Sequence, residues 1–386
     1  MADSSTCLPL VPQSVTDAHT KIKEHIHRTP LLTSKTINDI ASSPDPAIYL
    51  SDSIANPSKP FDSEHTDGVP KFNLFFKCEN FQRIGAFKAR GAFYAITRLI
   101  DTMTLPVLRE KGVITHSSGN HAQALSLAAH TFKVPSYVVM PQISTSSKVL
   151  GAKRYAKEVI FSGSTSHERE AAMAQVQART GAIFVPPFDH PDIVLGQGTV
   201  GREMSEQFQE LLVDEKAQLD AVLSPIGGGG LLAGIATWFS DKETTVFGAE
   251  PSFQGADDAK RGRRAGSRIT SVRSLTIADG LRMPVGLVNW EIVRDKKKVE
   301  EIYSVSEDEI KMTMRLVLER MKLVVEPSAC TTLAVVLFNP DFRRLVAESQ
   351  NGRPWNVGVV FSGGNTTVKI ISTLFADDDA SPKEKS

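Results

Sequence analysis

The 386-residue sequence predicts an α/β fold of open, mainly parallel twisted sheets with helices on both faces. Two observations predict it. Short β-branched runs alternate with helix-spaced segments along most of the chain. Glycine- and serine-rich loops then sit at strand-to-helix junctions, where parallel sheets place their functional loops.

The elements follow in chain order. Val15, Ala18, Ile22 and Ile26 mark one face of an opening helix, which His27-Arg-Thr-Pro30 stops. Residues 42–70 are rich in Ser, Pro and Asp and are expected to form an exposed loop insertion. Residues 73–78 read as a buried strand and 86–100 as a helix. Strands are expected at 113–116, 136–140, 159–161 and 183–185, separated by helices at 121–132, 148–156 and 168–179. A long helix is expected after Gly198. Strand 221–224, helix 231–239, strand 246–249, helix 307–321 and strand 357–361 complete the pattern.

Composition narrows the function. Hydrophobic residues make up 41% and charged residues 23%, enough for an ordinary core in a chain of this length. Lys plus Arg (44) equals Asp plus Glu (44), which argues against a field built for nucleic acid or an anionic membrane. Cys7, Cys78 and Cys330 are scattered and form no CxxC pair, as in a reducing compartment. No signal-peptide pattern or membrane-length apolar run is present, so a soluble cytoplasmic protein acting on a small molecule is expected.

Three loops carry chemistry. In Phe81-Gln-Arg-Ile-Gly-Ala-Phe-Lys-Ala-Arg-Gly91, Lys88 stands at a helix start. The helix N-terminus disfavours an ammonium, as a Schiff-base lysine requires. A surface lysine is the plainer alternative for that segment alone. His116-Ser-Ser-Gly-Asn-His-Ala-Gln123 brings amides and hydroxyls to another helix start, suited to a carboxylate or to simple capping. Pro225-Ile-Gly-Gly-Gly-Gly-Leu231 lets backbone N–H groups close around a phosphate. A nicotinamide site is a rival for this last loop, because Gly228, Gly230 and Ala233 fit the degenerate fingerprint and Glu250 ends the next strand. The company of the loops decides. Ser362 adds a hydroxyl at a strand end, and Lys88, the anion loop, the tetraglycine and Ser362 together describe a pyridoxal phosphate site.

From about residue 15 to 374 the chain resembles the serine racemase and threonine/serine dehydratase family of fold type II pyridoxal phosphate enzymes. The resemblance is carried by Arg28-Thr-Pro-Leu-Leu-Thr33, the Lys88 segment, Ser117-Ser-Gly-Asn-His121, Gly196-Gln-Gly-Thr199, the tetraglycine, Ile277-Ala-Asp-Gly280, Glu319-Arg-Met-Lys322 and Ser362-Gly-Gly-Asn365. It implies a tryptophan synthase β-like architecture. A large cofactor-binding unit would comprise residues 1–108 and 190–386, with a small mobile unit at 109–189. Lys88 would carry the cofactor beside Phe87, with Asn120 on its phenolic oxygen. Gly227, Gly228, Gly229, Gly230 and the Leu231 amide would hold the phosphate, and Ser362 the pyridine nitrogen. Ser117, Asn120, His121 and Arg169 would surround the substrate carboxylate. Ser118 would be the acid/base opposite Lys88. Glu250, Ala256 and Asp258 would bind Mg²⁺ or Ca²⁺.

The implied activity is racemisation and dehydration of serine or a close β-hydroxy relative, by a homodimer. A dedicated threonine or 3-hydroxyaspartate dehydratase is the alternative, and a nicotinamide oxidoreductase a remote one. Met283 replaces a carboxylate-contacting serine of vertebrate-type racemases, with Arg282 beside it as a possible charge. Lys35 and Ile84 stand where ATP-activated members carry polar nucleotide contacts, which leaves an ATP effector open.

Overall fold

The computed structural model describes residues 4–49, 68–117, 119–142, 144, 146–163 and 166–376. Among the described residues, ten strands fall into two sheets: β1 (Leu31–Leu32), β2 (Phe72–Cys78), β3 (Val113–His116), β4 (Ser136–Pro141), β5 (Glu158–Ser162), β6 (Ile183–Phe184), β7 (Ala221–Pro225), β8 (Thr245–Pro251), β9 (Glu301–Val305) and β10 (Trp355–Phe361). The larger sheet runs β1-β2-β10-β7-β8-β9, and the smaller β5-β4-β3-β6. Every pairing is parallel except β1 with β2.

Both faces of the larger sheet are buried, which explains why its strands are apolar runs and not alternating ones. Phe76, Leu223 and Val359 face one core together with helix Pro327–Phe338, and Phe75, Val222 and Val360 face the other together with helix Gly230–Phe239. The β9 strand and helix Pro327–Phe338 lie outside the sequence-based expectation.

One expectation is corrected. The long helix spans Pro191–Leu212, with His190 capping the Asp192 amide, so Gly196 and Gly198 lie inside it. The glycines are contact points between helices and do not mark a break. A Cβ on Gly196 would sit 2.6 Å from the Gly91 Cα, and one on Gly198 would sit 2.7 Å from the Gly234 carbonyl. Helix Glu307–Leu316 starts on a Ser306/Glu309 capping box and passes into a π turn at Val317–Met321. Most of the insertion expected at 42–70, namely residues 50–67, lies outside the described residues, as does Ser118.

Candidate active site

The carboxyl ends of β3, β7 and β10 deliver the loops that begin at Ser117, Ile226 and Ser362. Together with the Lys88 turn they line one cavity of about 550 Å³. In parallel α/β sheets this is where ligands bind.

The Lys88 turn and the Ser362 loop are zipped together. Phe87 N donates to the Ser362 carbonyl at 3.1 Å, Gly364 N to the Gly85 carbonyl at 2.9 Å, and Ala86 bridges Gly363. Lys88 then opens helix Lys88–Met103. Its Nζ donates to the Pro187 carbonyl at 2.7 Å and lies 5.1 Å from the centre of the Phe87 ring. Burial pulls the Lys88 amine down to about 8, against the opposing pull of Glu326. Two positions on, the buried Arg90 anchors this helix through forked bonds of 2.8 Å to Glu79 and Glu203.

The tetraglycine is a cradle that side chains would fill. A Cβ on Gly228 would lie 2.3 Å from the Phe188 ring, and one on Gly227 would lie 2.8 Å from the Gly280 carbonyl. Gly229 has φ +88°, which favours glycine. Helix Gly230–Phe239 starts here, and its first amides have no carbonyl one turn back. Main-chain donors converging on a bare backbone wall suit a phosphate, so this loop fits the phosphate of the expected cofactor.

Ser117, Asn120, His121 and Arg169 all line the same cavity. His121 places its Nε2 3.4 Å from the Val185 carbonyl, which can only accept, so Nδ1 carries the lone pair. Burial, helped by Lys88, pushes the imidazole down to about 3 and keeps it neutral. A neutral ring in this tautomer cannot donate to a carboxylate. The His121 main-chain amide, in the first turn of helix Asn120–Thr131, can.

Two acids in the lining were missed from the sequence. Glu326 caps nothing with its side chain but accepts from Asn120 Nδ2 at 3.0 Å, and burial, followed by nearby Asp279, raises its carboxyl to about 8. An acid directly before Pro327 and an apolar helix is the signal that marked it. Asp279 pairs with Lys148 across the cavity, joining the loop at 279–281 to helix Ser146–Lys153.

The three metal-expected residues lie apart from the cavity lining. Glu250 and Asp258 are fully buried neighbours. Glu250 accepts the Ala259 and Lys260 amides at 3.0 Å, and Asp258 accepts the Val285 amide at 3.0 Å. Burial, then the Asp258 charge, raises the Glu250 carboxyl well above its ordinary range, and burial raises Asp258 to about 6. Two buried carboxyls that repel one another call for a proton or a cation, and the oxygen donors fit Mg²⁺ or Ca²⁺.

A buried, amine-poised lysine facing a glycine phosphate cradle defines an enzyme that carries a phosphorylated carbonyl cofactor on that lysine. A family model described as pyridoxal-phosphate dependent enzyme matches residues 61–363, and the chain belongs to that family. It is 38% identical to a serine racemase of Arabidopsis thaliana, over 94% of this chain and 95% of the relative. It is 35% identical to an L-threo-3-hydroxyaspartate ammonia-lyase of Saccharomyces cerevisiae, over 95% of this chain and 97% of the relative. The solved structure of maize serine racemase superposes with a TM-score of 0.78 at 32% identity, covering 95% of this chain and 97% of that one.

Proposed function

We propose that this pyridoxal phosphate enzyme racemises serine or a close β-hydroxy relative and also dehydrates it. The observation that carries the reading is Lys88 in one cavity with the glycine cradle, Ser117, Asn120, His121 and Arg169. Lys88 would hold the cofactor, Phe87 would lie beside it, and Asn120 and Ser362 would hydrogen-bond it. Gly227, Gly228, Gly229, Gly230 and the Leu231 amide would receive its phosphate. Bound there, the cofactor supplies an electron sink for the α-carbon of an amino acid.

The chain's own residues do the rest. Ser117, the Asn120 and His121 amides and Arg169 bind the substrate carboxylate, which points one α-hydrogen at Lys88. An amine pulled down to about 8 by burial accepts and returns a proton near neutral pH. Ser118 serves the opposite face, so that a proton returned there inverts the centre. Loss of the β-hydroxyl instead gives a keto acid and ammonia after hydrolysis. The small unit at 109–189 closes over the cavity, and the Lys148–Asp279 pair supports a contact at that closure. Glu250, Ala256 and Asp258 hold a divalent cation. The protein works as a cytoplasmic homodimer, and light scattering tests the dimer.

One observation favours a second reading. Arg282 lines the cavity and spends its N–H groups on the carbonyls of Thr276 and Leu275, which fix the guanidinium without neutralising it. A cation held there suits a substrate with a second carboxylate, and a 3-hydroxyaspartate ammonia-lyase is among the relatives. A panel of L- and D-serine, threonine and 3-hydroxyaspartate, assayed for both inversion and ammonia release, separates the two. Inversion of serine supports the racemase. Ammonia release confined to 3-hydroxyaspartate, with no inversion, replaces it with the lyase.

A further inference from the structure

Cys7, His190 and Asp192 gather at the start of helix Pro191–Leu212, and none of the three lines the catalytic cavity. Each offers one ligand atom, and the three atoms lie within 4.8 Å of one another. Cys7 Sγ is 4.0 Å from His190 Nε2, close to the ~3.6 Å that separates a sulfur and a nitrogen bound to one tetrahedral zinc. On the other side of the ring, Nδ1 accepts the Asp192 amide at 3.2 Å and lies 3.8 Å from Asp192 Oδ2.

The cluster is short of positive charge. Asp192 Oδ1, on a side chain only 8% exposed, has no hydrogen-bond partner among the described residues, and Arg98 Nε stands 3.5 Å away. Arg98 is already committed, to the Thr6 carbonyl at 2.6 Å and to Asp101 at 3.5 Å. The Tyr94 hydroxyl, buried and likewise unpartnered among the described residues, lies in the field of Asp192 and Arg98. Burial raises the Asp192 carboxyl, and burial followed by the Asp192 charge pushes the Cys7 thiol up to about 12. Sulfur therefore holds a proton that a dication would displace.

We propose that Cys7, His190 and Asp192 bind a zinc-class divalent cation, which pins the N-terminal segment to the start of helix Pro191–Leu212. The Cys7 thiolate and Asp192 Oδ1 balance its two charges, His190 binds through Nε2, and a water takes the fourth position. Binding releases the thiol proton to solvent. The ring proton of His190 moves to Nδ1, which leaves the Asp192 amide for Asp192 Oδ2, the kind of second contact that orients a metal-bound imidazole. A thiolate and an imidazole select Zn²⁺ over Mg²⁺ and Ca²⁺, so these donors differ in kind from the oxygens of Glu250, Ala256 and Asp258. The ion ties Cys7 to a residue 183 positions further on, directly after the cavity-lining Pro187 and Phe188.

The test titrates metal-free holoenzyme with Zn²⁺ against a chromophoric chelator, and with Co²⁺ followed by visible difference spectra. The wild type should bind Zn²⁺ and show the absorption of tetrahedral Co²⁺. Cys7→Ser and His190→Asn should each weaken Zn²⁺ binding by more than about a hundredfold and remove the Co²⁺ bands. Asparagine still caps the Asp192 amide, so His190→Asn reads the lost ligand and not a lost cap. Zn²⁺ should raise the thermal midpoint of the wild type and leave that of Cys7→Ser where it was. A wild type that binds no Zn²⁺, or a Cys7→Ser protein with wild-type Zn²⁺ affinity, overturns the site. Zn²⁺ binding kept in Cys7→Ser and lost in Glu250→Ala places the ion at the other cluster and also overturns it.

Discussion

Arg90→Met removes one cation from a buried network that has no solvent to fall back on. The guanidinium forks onto both oxygens of Glu79 and both of Glu203, all at 2.8 Å, and every partner is at most 1% exposed. Lys77 supplies the second cation at Glu203, also at 2.8 Å, so two positive charges balance two negative ones. Burial works to raise the Glu203 carboxyl, but Arg90, with help from His19 and Lys77, holds it far below its ordinary range. Methionine replaces only the aliphatic stem of arginine and leaves Glu79 with the Thr29 hydroxyl at 2.5 Å. Breaking a buried pair from one side costs about 3–5 kcal/mol, against at most ~1 kcal/mol for a surface pair. With a urea dependence of about 3 kcal/mol per molar, the unfolding midpoint should fall by roughly 1–1.7 M. Arg90→Lys keeps the charge but not the double fork, and should fall between wild type and Arg90→Met. A midpoint for Arg90→Met within about 0.3 M of wild type would refute the reasoning.

Ser118→Ala should abolish racemisation and elimination from D-substrates while sparing much of the elimination from L-substrates, measured by chiral chromatography and ammonia release. Equal losses on both enantiomers would count against a second base on that face. Glu250→Ala should lower thermal stability and remove the response to added Mg²⁺, and a retained response would contradict the cation site. His121 has a folded pKa depressed to about 3, so it contributes stability above the ordinary imidazole pKa that is lost as pH falls through that value. Between pH 7 and 5 its protonation in the unfolded chain costs the wild type about 2 kcal/mol that His121→Gln does not lose. Parallel pH–stability curves for the two proteins would show that the ring is not kept neutral.

The alternation of strands and helices was legible because parallel strands buried on both faces are short, continuous and apolar. The same rule hid what it does not describe. β9 (Glu301–Val305) is an edge strand with two half-buried positions, and it lacks that signature. Gly198 suggested a helix start because glycine usually ends or precedes a helix. Here Gly198 and Gly196 permit backbone-to-backbone contact with Gly234 and Gly91, which only the packed fold reveals. In the site, Lys88 and the tetraglycine were legible from local chemistry, since each stands at a helix start. Glu326 carries a local mark, an acid before Pro327, but its meaning comes from Asn120, 206 residues away. His121 was readable as a site residue, but not its state: burial keeps the ring neutral, and the Val185 carbonyl just past a neighbouring strand sets the tautomer.

Reducing the purified protein with borohydride and mapping the modified peptide tests the proposed role of Lys88. A visible absorption band that borohydride removes is expected, with one pyridoxyl group per chain, attached to Lys88 and absent from Lys88→Ala. A pyridoxyl group on another lysine, or a Lys88→Ala protein that turns over substrate at the wild-type rate, would contradict it.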